Sequence, residues 1–300
     1  YWADVGSAAA GFQDGAIYQM PKGGGAIVTL AAGLQSVGPL AVDAHNVYWT
    51  TAYAGCPPPA DGGACPPSSG TVDQMPIGGG RVQPLAVGQP LPFDLAVDAT
   101  NVYWSNAGAG DAGPSLWTVP IGGGPASQLL AGHLETGAGP GGLAVDERDV
   151  YWAGVNDAGV SAVFSMPKGG GPITTVAAGL TSVVDLEVDA TNAYWWSPEV
   201  LLDGGQSGSV SAAPLAGATS FTLLAGDTLG RPTAQDAASL YLAAPSAVLS
   251  LPKIGAAAPA NVCGGQPGVQ GVARDATNVY WLLTGPSGEL GGMVVSAPLP

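Results

Sequence analysis

The sequence predicts an all-β chain built from one small antiparallel unit copied along its whole length. Three observations carry this. An apolar phrase ending in Asp, followed by a turn and a Tyr-Trp pair, recurs throughout the 300 residues. The aligned tyrosines, Tyr1, Tyr48, Tyr103, Tyr151, Tyr194, Tyr241 and Tyr280, are spaced 47, 55, 48, 43, 47 and 39 residues apart. Finally, 48 glycines and 27 prolines leave no ten-residue stretch with a clean helical stripe. Glycine and proline cost about 1 and 3 kcal/mol in helix interiors, so this composition favours short strands joined by turns. A period in the forties is that of a four-stranded blade, and the fold class is a β-propeller.

Each element of the unit has its own signature. Strand one is the LAVD phrase at Leu40–Asp43, Leu95–Asp98 and Leu143–Asp146, altered to LEVD, TAQD and VARD at Leu186–Asp189, Thr233–Asp236 and Val272–Asp275. Strand two is NVYW or a variant of it, rich in β-branched and aromatic residues that suit a pleated surface. The Asp-x-x-Asn link between them suits a tight turn, because Asx side chains cap their own backbone. Strand three ends at a proline, as in QMP at Gln19–Pro21 and SMP at Ser165–Pro167. Proline lacks a donor and belongs at a strand terminus or edge. The GGG that follows supplies the positive φ of a hairpin. Strand four is the LAAG-like phrase, as at Leu30–Gly33.

The repeats run approximately over 1–33, 36–88, 91–132, 139–179, 182–226, 229–265 and 268–300, within one expected propeller domain, 1–300. Strands two and three occur seven times, strands one and four six times. Seven four-stranded antiparallel blades with imperfect terminal closure are therefore favoured, with six blades as the alternative. Unpaired terminal strands would also permit head-to-tail self-association.

Seven Lys+Arg against 22 Asp+Glu give a net charge of −15. Such a surface repels phosphate backbones, which argues against nucleic-acid binding. No run of about 18 apolar residues is present, so no transmembrane helix is expected. The chain opens at Tyr1-Trp2 without Met, which reads as a processed or trimmed segment. Cys56 and Cys65 bracket a Pro/Gly-rich insert and are expected to form a disulfide, fitting an oxidising, extracytoplasmic compartment. Cys263 is either buried or an orphan thiol. No cofactor and no metal are expected, because His45 and His133 are the only histidines and neither has zinc-ligand spacing to a cysteine pair.

Several residue groups invite a chemical reading. The aspartates Asp43, Asp98, Asp146, Asp189, Asp236 and Asp275 form either a ring of cation ligands or, as their strict repetition favours, turn caps. The Tyr-Trp pairs are expected to pack the core rather than stack sugars. The repeat breaks where Glu187 replaces the small Ala of strand one and where Gln235 and Arg274 replace its Val. These three lie on consecutive repeats and are the candidate ligand-binding group; the plain alternative is worn repeats or a Glu187–Arg274 ion pair. His45, His133 and Glu135 are the candidates for acid–base chemistry in a lyase or metal-assisted hydrolase.

The LAVD…NVYW phrases, with YWAD at Tyr1–Asp4, resemble the YWTD repeat of the low-density-lipoprotein-receptor propellers. They are also similar to NHL and TolB-type propellers of bacterial envelope proteins, and to tandem bacterial repeats carrying VDATNVYWTN and VPLGGG phrases in secreted or lipid-anchored proteins. Streptogramin-lyase-type propellers keep the lyase class in view. YWTD propellers are binding modules, so the resemblance implies a secreted or cell-envelope, bacterial, non-enzymatic binding or scaffold propeller. Its protein or small-molecule ligand would meet a loop face or channel mouth. The self-assembling structural protein and the lyase or hydrolase are the alternatives.

Overall fold

The computed structural model describes every residue except 8–9, 53–68, 109–112, 133–141, 157, 201–205, 218, 228–230, 255–257, 284–291 and 300. Cys56, Cys65, His133 and Glu135 lie outside the described residues, so the expected disulfide and the His/Glu pair are not placed. Among the described residues there is no α-helix, and no helix long and apolar enough to cross a membrane.

The chain is all-β, and its antiparallel sheets are the blades of a β-propeller. The first holds β1 (Trp2–Asp4), β2 (Gly15–Gln19) and β3 (Val28–Leu34). The second holds β4 (Val37–Val42), β5 (Asn46–Thr51), β6 (Gly70–Pro76) and β7 (Gln83–Gln89). The third holds β8 (Pro92–Val97), β9 (Asn101–Asn106), β10 (Ser115–Pro120) and β11 (Ser127–Ala131). The fourth holds β12 (Leu143–Val145), β13 (Asp149–Val155), β14 (Ser161–Pro167) and β15 (Thr174–Leu180). The fifth holds β16 (Val184–Val188), β17 (Asn192–Val200), β18 (Gln206–Pro214) and β19 (Phe221–Asp227). The sixth holds β20 (Arg231–Gln235), β21 (Ser239–Ala244), β22 (Ala247–Pro252) and β23 (Ala260–Gly264). The seventh holds β24 (Val269–Arg274), β25 (Asn278–Leu283) and β26 (Met293–Pro298). Among the described residues, seven sheets form, and the first and last have three strands each. The first lacks strand one and the last lacks strand four, as the repeat predicts.

The described residues gather into two compact units. One comprises Tyr1–Asp149 with Pro167–Pro172, the other Val150–Met166 with Ile173–Pro300. The same packing logic runs inside each. Side chains alternate faces along a strand, so the tyrosine and tryptophan of strand two point to opposite sides. In the first unit Tyr48 packs with Leu95, Val102 and Trp104 of the third sheet. Trp49 turns the other way, onto Ile17 of the first sheet. In the second unit Tyr241 packs with Val279 and Trp281 of the seventh sheet. In the sixth repeat Leu242 stands where tryptophan is expected, and the extra Trp196 shares its cluster with Tyr194 and Leu242. The aromatic pairs of the second to fifth sheets are buried, as expected of core rather than of exposed stacking platforms, while Tyr1 at the start of the chain is 45% exposed.

The hairpins follow their residues. In GGG turns the second and third glycines sit at φ near 84° and 147° in the second repeat and 84° and 146° in the fourth. Gly79 N–H donates to Pro76 O at 2.9 Å, closing the turn against the strand-ending proline. Gly38 has a different reason. A Cβ there would collide with the Oγ1 of Thr50, which is fully buried. Gly38→Ala is expected to cost about 1–3 kcal/mol by overpacking. Urea denaturation checks this, and an unchanged midpoint would contradict it.

Candidate functional site

The repeated aspartates are turn caps. Asp43 Oδ1 accepts from the backbone N–H of His45 and Asn46, both at 2.7 Å, and Asp43 Oδ2 accepts from Tyr48 Oη at 2.8 Å. The same arrangement recurs at Asp98–Tyr103 and Asp189–Tyr194, and at Asp236–Tyr241 in the worn repeat. Burial, reinforced by the aspartate beside each hydroxyl, pushes Tyr48, Tyr194 and Tyr241 up to about 12. His45 is a turn residue whose backbone N–H joins this cap. Among the described residues no three of His, Cys, Asp and Glu come together as a metal site.

The second unit brings the repeat-breaking residues together. Because strand one also alternates, the Ala position of one sheet faces the Val position of the next. Glu187 on β16 therefore meets Gln235 on β20. Gln235 Nε2 donates to Glu187 Oε2 at 3.1 Å and to Val188 O at 2.6 Å. Arg274, at the end of β24, donates through Nε and Nη2 to Asp275 O at 3.0 and 2.7 Å, and through Nη1 to Gln235 O at 3.4 Å. Its Nη1 lies 3.5 Å from Asp236 Oδ2.

Lys253, which the sequence reading did not single out, is the hub of this group. It donates to Asp189 Oδ2 at 2.8 Å and to Gln235 Oε1 at 2.7 Å, and stands 5.0 Å over the Tyr194 ring. Its side chain is 3% exposed. Burial alone would raise the Asp189 carboxyl, but the Lys253 ammonium and the backbone donors of Thr191 and Asn192 outweigh it and hold it well below the usual carboxylate range. The first unit has the same device, with Lys168 Nζ 2.6 Å from Asp98 Oδ2. The signal was present in sequence: the residue after the strand-three proline is Lys22, Lys168 or Lys253 in some repeats and Ile77, Ile121 or Leu215 in others. That position reaches the preceding sheet, where Ile121 packs against the Tyr48 cluster and Lys253 covers Tyr194.

A second charged pair lies at the opposite end of the same strands. Asp185 takes φ of 52°, a left-handed conformation, at the irregularity between Val184 and Glu187. Arg231 Nη1 lies 3.5 Å from its Oδ2, with side-chain exposures of 43% and 18%. That oxygen is buried, and the long Arg231 contact is its nearest charged partner. Burial pushes the Asp185 carboxyl up, and Arg231 only partly opposes this. Cys263 is half-buried with a free thiol, packed against the Trp281 cluster.

No protein-family model matches the chain. No curated protein matches it either. Solved structures do. The β-propeller domain of the Trilobed protease from Pyrococcus furiosus, described as having an open velcro topology, matches at TM-score 0.57 and 9% identity, over 87% of this chain and 84% of that one. A puromycin hydrolase mutant complexed with PGG matches at TM-score 0.60 and 12% identity, over 95% of this chain and 48% of that one. A Mycobacterium tuberculosis puromycin-hydrolyzing peptidase matches at TM-score 0.54 and 14% identity, over 87% and 51%. The chain thus spans about half the length of these two hydrolases. At such identities the likeness shows the fold alone. It also corrects the expectation of a non-enzymatic binding or scaffold protein, because chains sharing this fold over most of its length include peptidases and a hydrolase. What the comparisons and the sheets together establish is a β-propeller.

Proposed function

We propose that this chain is the propeller part of an extracytoplasmic peptidase-type hydrolase, with its bond-cleaving groups outside the described residues. The observation that carries this is the match of 95% of the chain to 48% of a puromycin hydrolase. The YWTD-like phrases and the Cys56/Cys65 insert support the extracytoplasmic placement. Glu187, Gln235 and Arg274 are proposed as substrate-facing polar groups, with Lys253 holding Gln235 among them.

The test is amide hydrolysis by the natural protein that carries this chain, using aminoacyl 4-nitroanilides and puromycin. Turnover above buffer is the expected result, and none across the panel would contradict the reading. Replacing Glu187, Gln235 and Arg274 by Ala, Val and Val should raise KM at least tenfold while the protein stays folded. Lost stability with unchanged KM would instead make the three a purely structural clamp. If His133→Ala abolishes turnover by residues 1–300 alone, the acid–base groups lie within this chain.

A further inference from the structure

We propose that Arg231, backed by Asp185, is an anion-binding site that takes a monoanionic carboxylate, such as the free carboxyl end of a peptide. The chemical class rests on the hydrolase reading; the site itself does not. The first observation is where the cations stand. Each sheet has two ends, one carrying the Asp and GGG turns, the other carrying the connections from strand two to three and from strand four to the next strand one. Of the seven Lys and Arg, six lie in or beside the turns: Lys22, Arg81, Arg148, Lys168, Lys253 and Arg274. Among the described residues Arg231 is the only Lys or Arg at the other end.

The second observation is geometry. Lys253, Lys168 and Arg274 are spent on carboxylates or backbone carbonyls at short range. Arg231 is held differently. Its Nη1 stands 3.5 Å from Asp185 Oδ2, a long contact made by one nitrogen, and 43% of its side chain is exposed. A guanidinium is a planar fork of five donors, suited to two parallel bonds with a carboxylate. Asp185 contacts it from a single nitrogen and fixes its position, at the cost of a left-handed backbone that aspartate tolerates better than most residues. The fourth repeat places Gly142, at φ of 65°, at the equivalent position. Asp185 is therefore a side chain added where the backbone conformation alone would be met by glycine. Such strained positions gather at functional sites.

The charge balance selects the ligand. With Asp185 alongside and −15 on the chain, a dianionic phosphate meets more repulsion than a single carboxylate. A group pairing one carboxylate with neutral amides meets the least.

The experiment is calorimetric titration of the protein with N-acetyl-Ala-Ala bearing a free carboxyl, with the same peptide as its C-terminal amide, and with inorganic phosphate. The free-carboxyl peptide is expected to bind at least about tenfold more tightly than the amide and than phosphate. Arg231→Gln should abolish that difference. Arg231→Lys should retain only part of it, because the ammonium lacks the fork. Arg81→Gln, in a GGG turn, should leave it intact and shows that a general charge change is not the cause. Equal binding of acid and amide, retention in folded Arg231→Gln, or preference for phosphate would each overturn the proposal. Carboxylate binding without any amide hydrolysis would sink the hydrolase reading and leave this site standing. Hydrolysis unaffected by Arg231→Gln, with no carboxylate preference, would do the reverse.

Discussion

Lys253→Ala is expected to destabilise the protein by about 3 kcal/mol, the cost of breaking a buried ion pair by removing one partner. The ammonium is nearly inaccessible and is shared by Asp189, Gln235 and the Tyr194 ring. Its loss leaves Asp189 without its counter-charge and Gln235 Oε1 without its donor. Lys253→Met keeps the aliphatic stem over Tyr194 and should cost less, which separates lost charge from lost packing. Lys168→Met, with a side chain 19% exposed, should cost less again. Urea denaturation at pH 7 reads all three, and a Lys253→Ala loss below 1 kcal/mol would contradict the assigned role.

The pH dependence follows with a definite sign. Asp98 and Asp189 are held below their ordinary value of 3.8, so their native contacts stabilise the protein above that pH. That contribution disappears as pH falls through the lowered native values. Asp73 runs the other way, because burial raises its carboxyl and its ionisation weighs against folding as pH rises. Lys253→Met should flatten the acid limb of the stability curve, since Asp189 loses the charge that lowers it.

The second large effect is at Trp104. Trp104→Ala is expected to cost about 4 kcal/mol, as do other truncations of fully buried aromatics. The ring is inaccessible, packs in the Tyr48 cluster and stacks on Trp117 with centroids 6.3 Å apart. Its Nε1 donates to Gln89 Oε1 at 3.0 Å, and Asn106 Nδ2 donates to the same oxygen at 3.1 Å. The equivalent Trp49 and Trp281 have buried indole N–H groups with no acceptor. Trp→Phe should therefore cost more at 104 than at 49 or 281, because only there is a made hydrogen bond lost. Equal costs at the three sites would show that Gln89 contributes nothing.

Much of this was legible before any coordinates. Strand boundaries could be read from LAVD, NVYW and the strand-ending proline because each is a different physical demand: an alternating pleat, an aromatic pair facing both ways, a missing donor. The aspartate caps were readable for the same reason, and even the worn repeat keeps its Asp236–Tyr241 bond. Glu187, Gln235 and Arg274 stood out as breaks in a repeat, and the structure does bring them together. Lys253 did not stand out, because its partners are 64 and 18 residues away and its role exists only when one sheet faces the next. Asp185 was hidden by the irregularity in strand one, which breaks strict alternation at that point. The residues do not single out one function, since propeller folds carry many functions on the same frame.

One four-stranded sheet, centred on its tyrosine strand and sealed by the neighbouring sheet, accounts for the described residues. Hydrogen–deuterium exchange resolved by strand tests this most directly. Strand-two segments β5, β9, β13, β17, β21 and β25 should be the slowest to exchange, with the outer strands β7, β11, β15, β19 and β23 opening first. Tyrosine strands that exchange as fast as the outer ones, or protection confined to a few repeats, would contradict it.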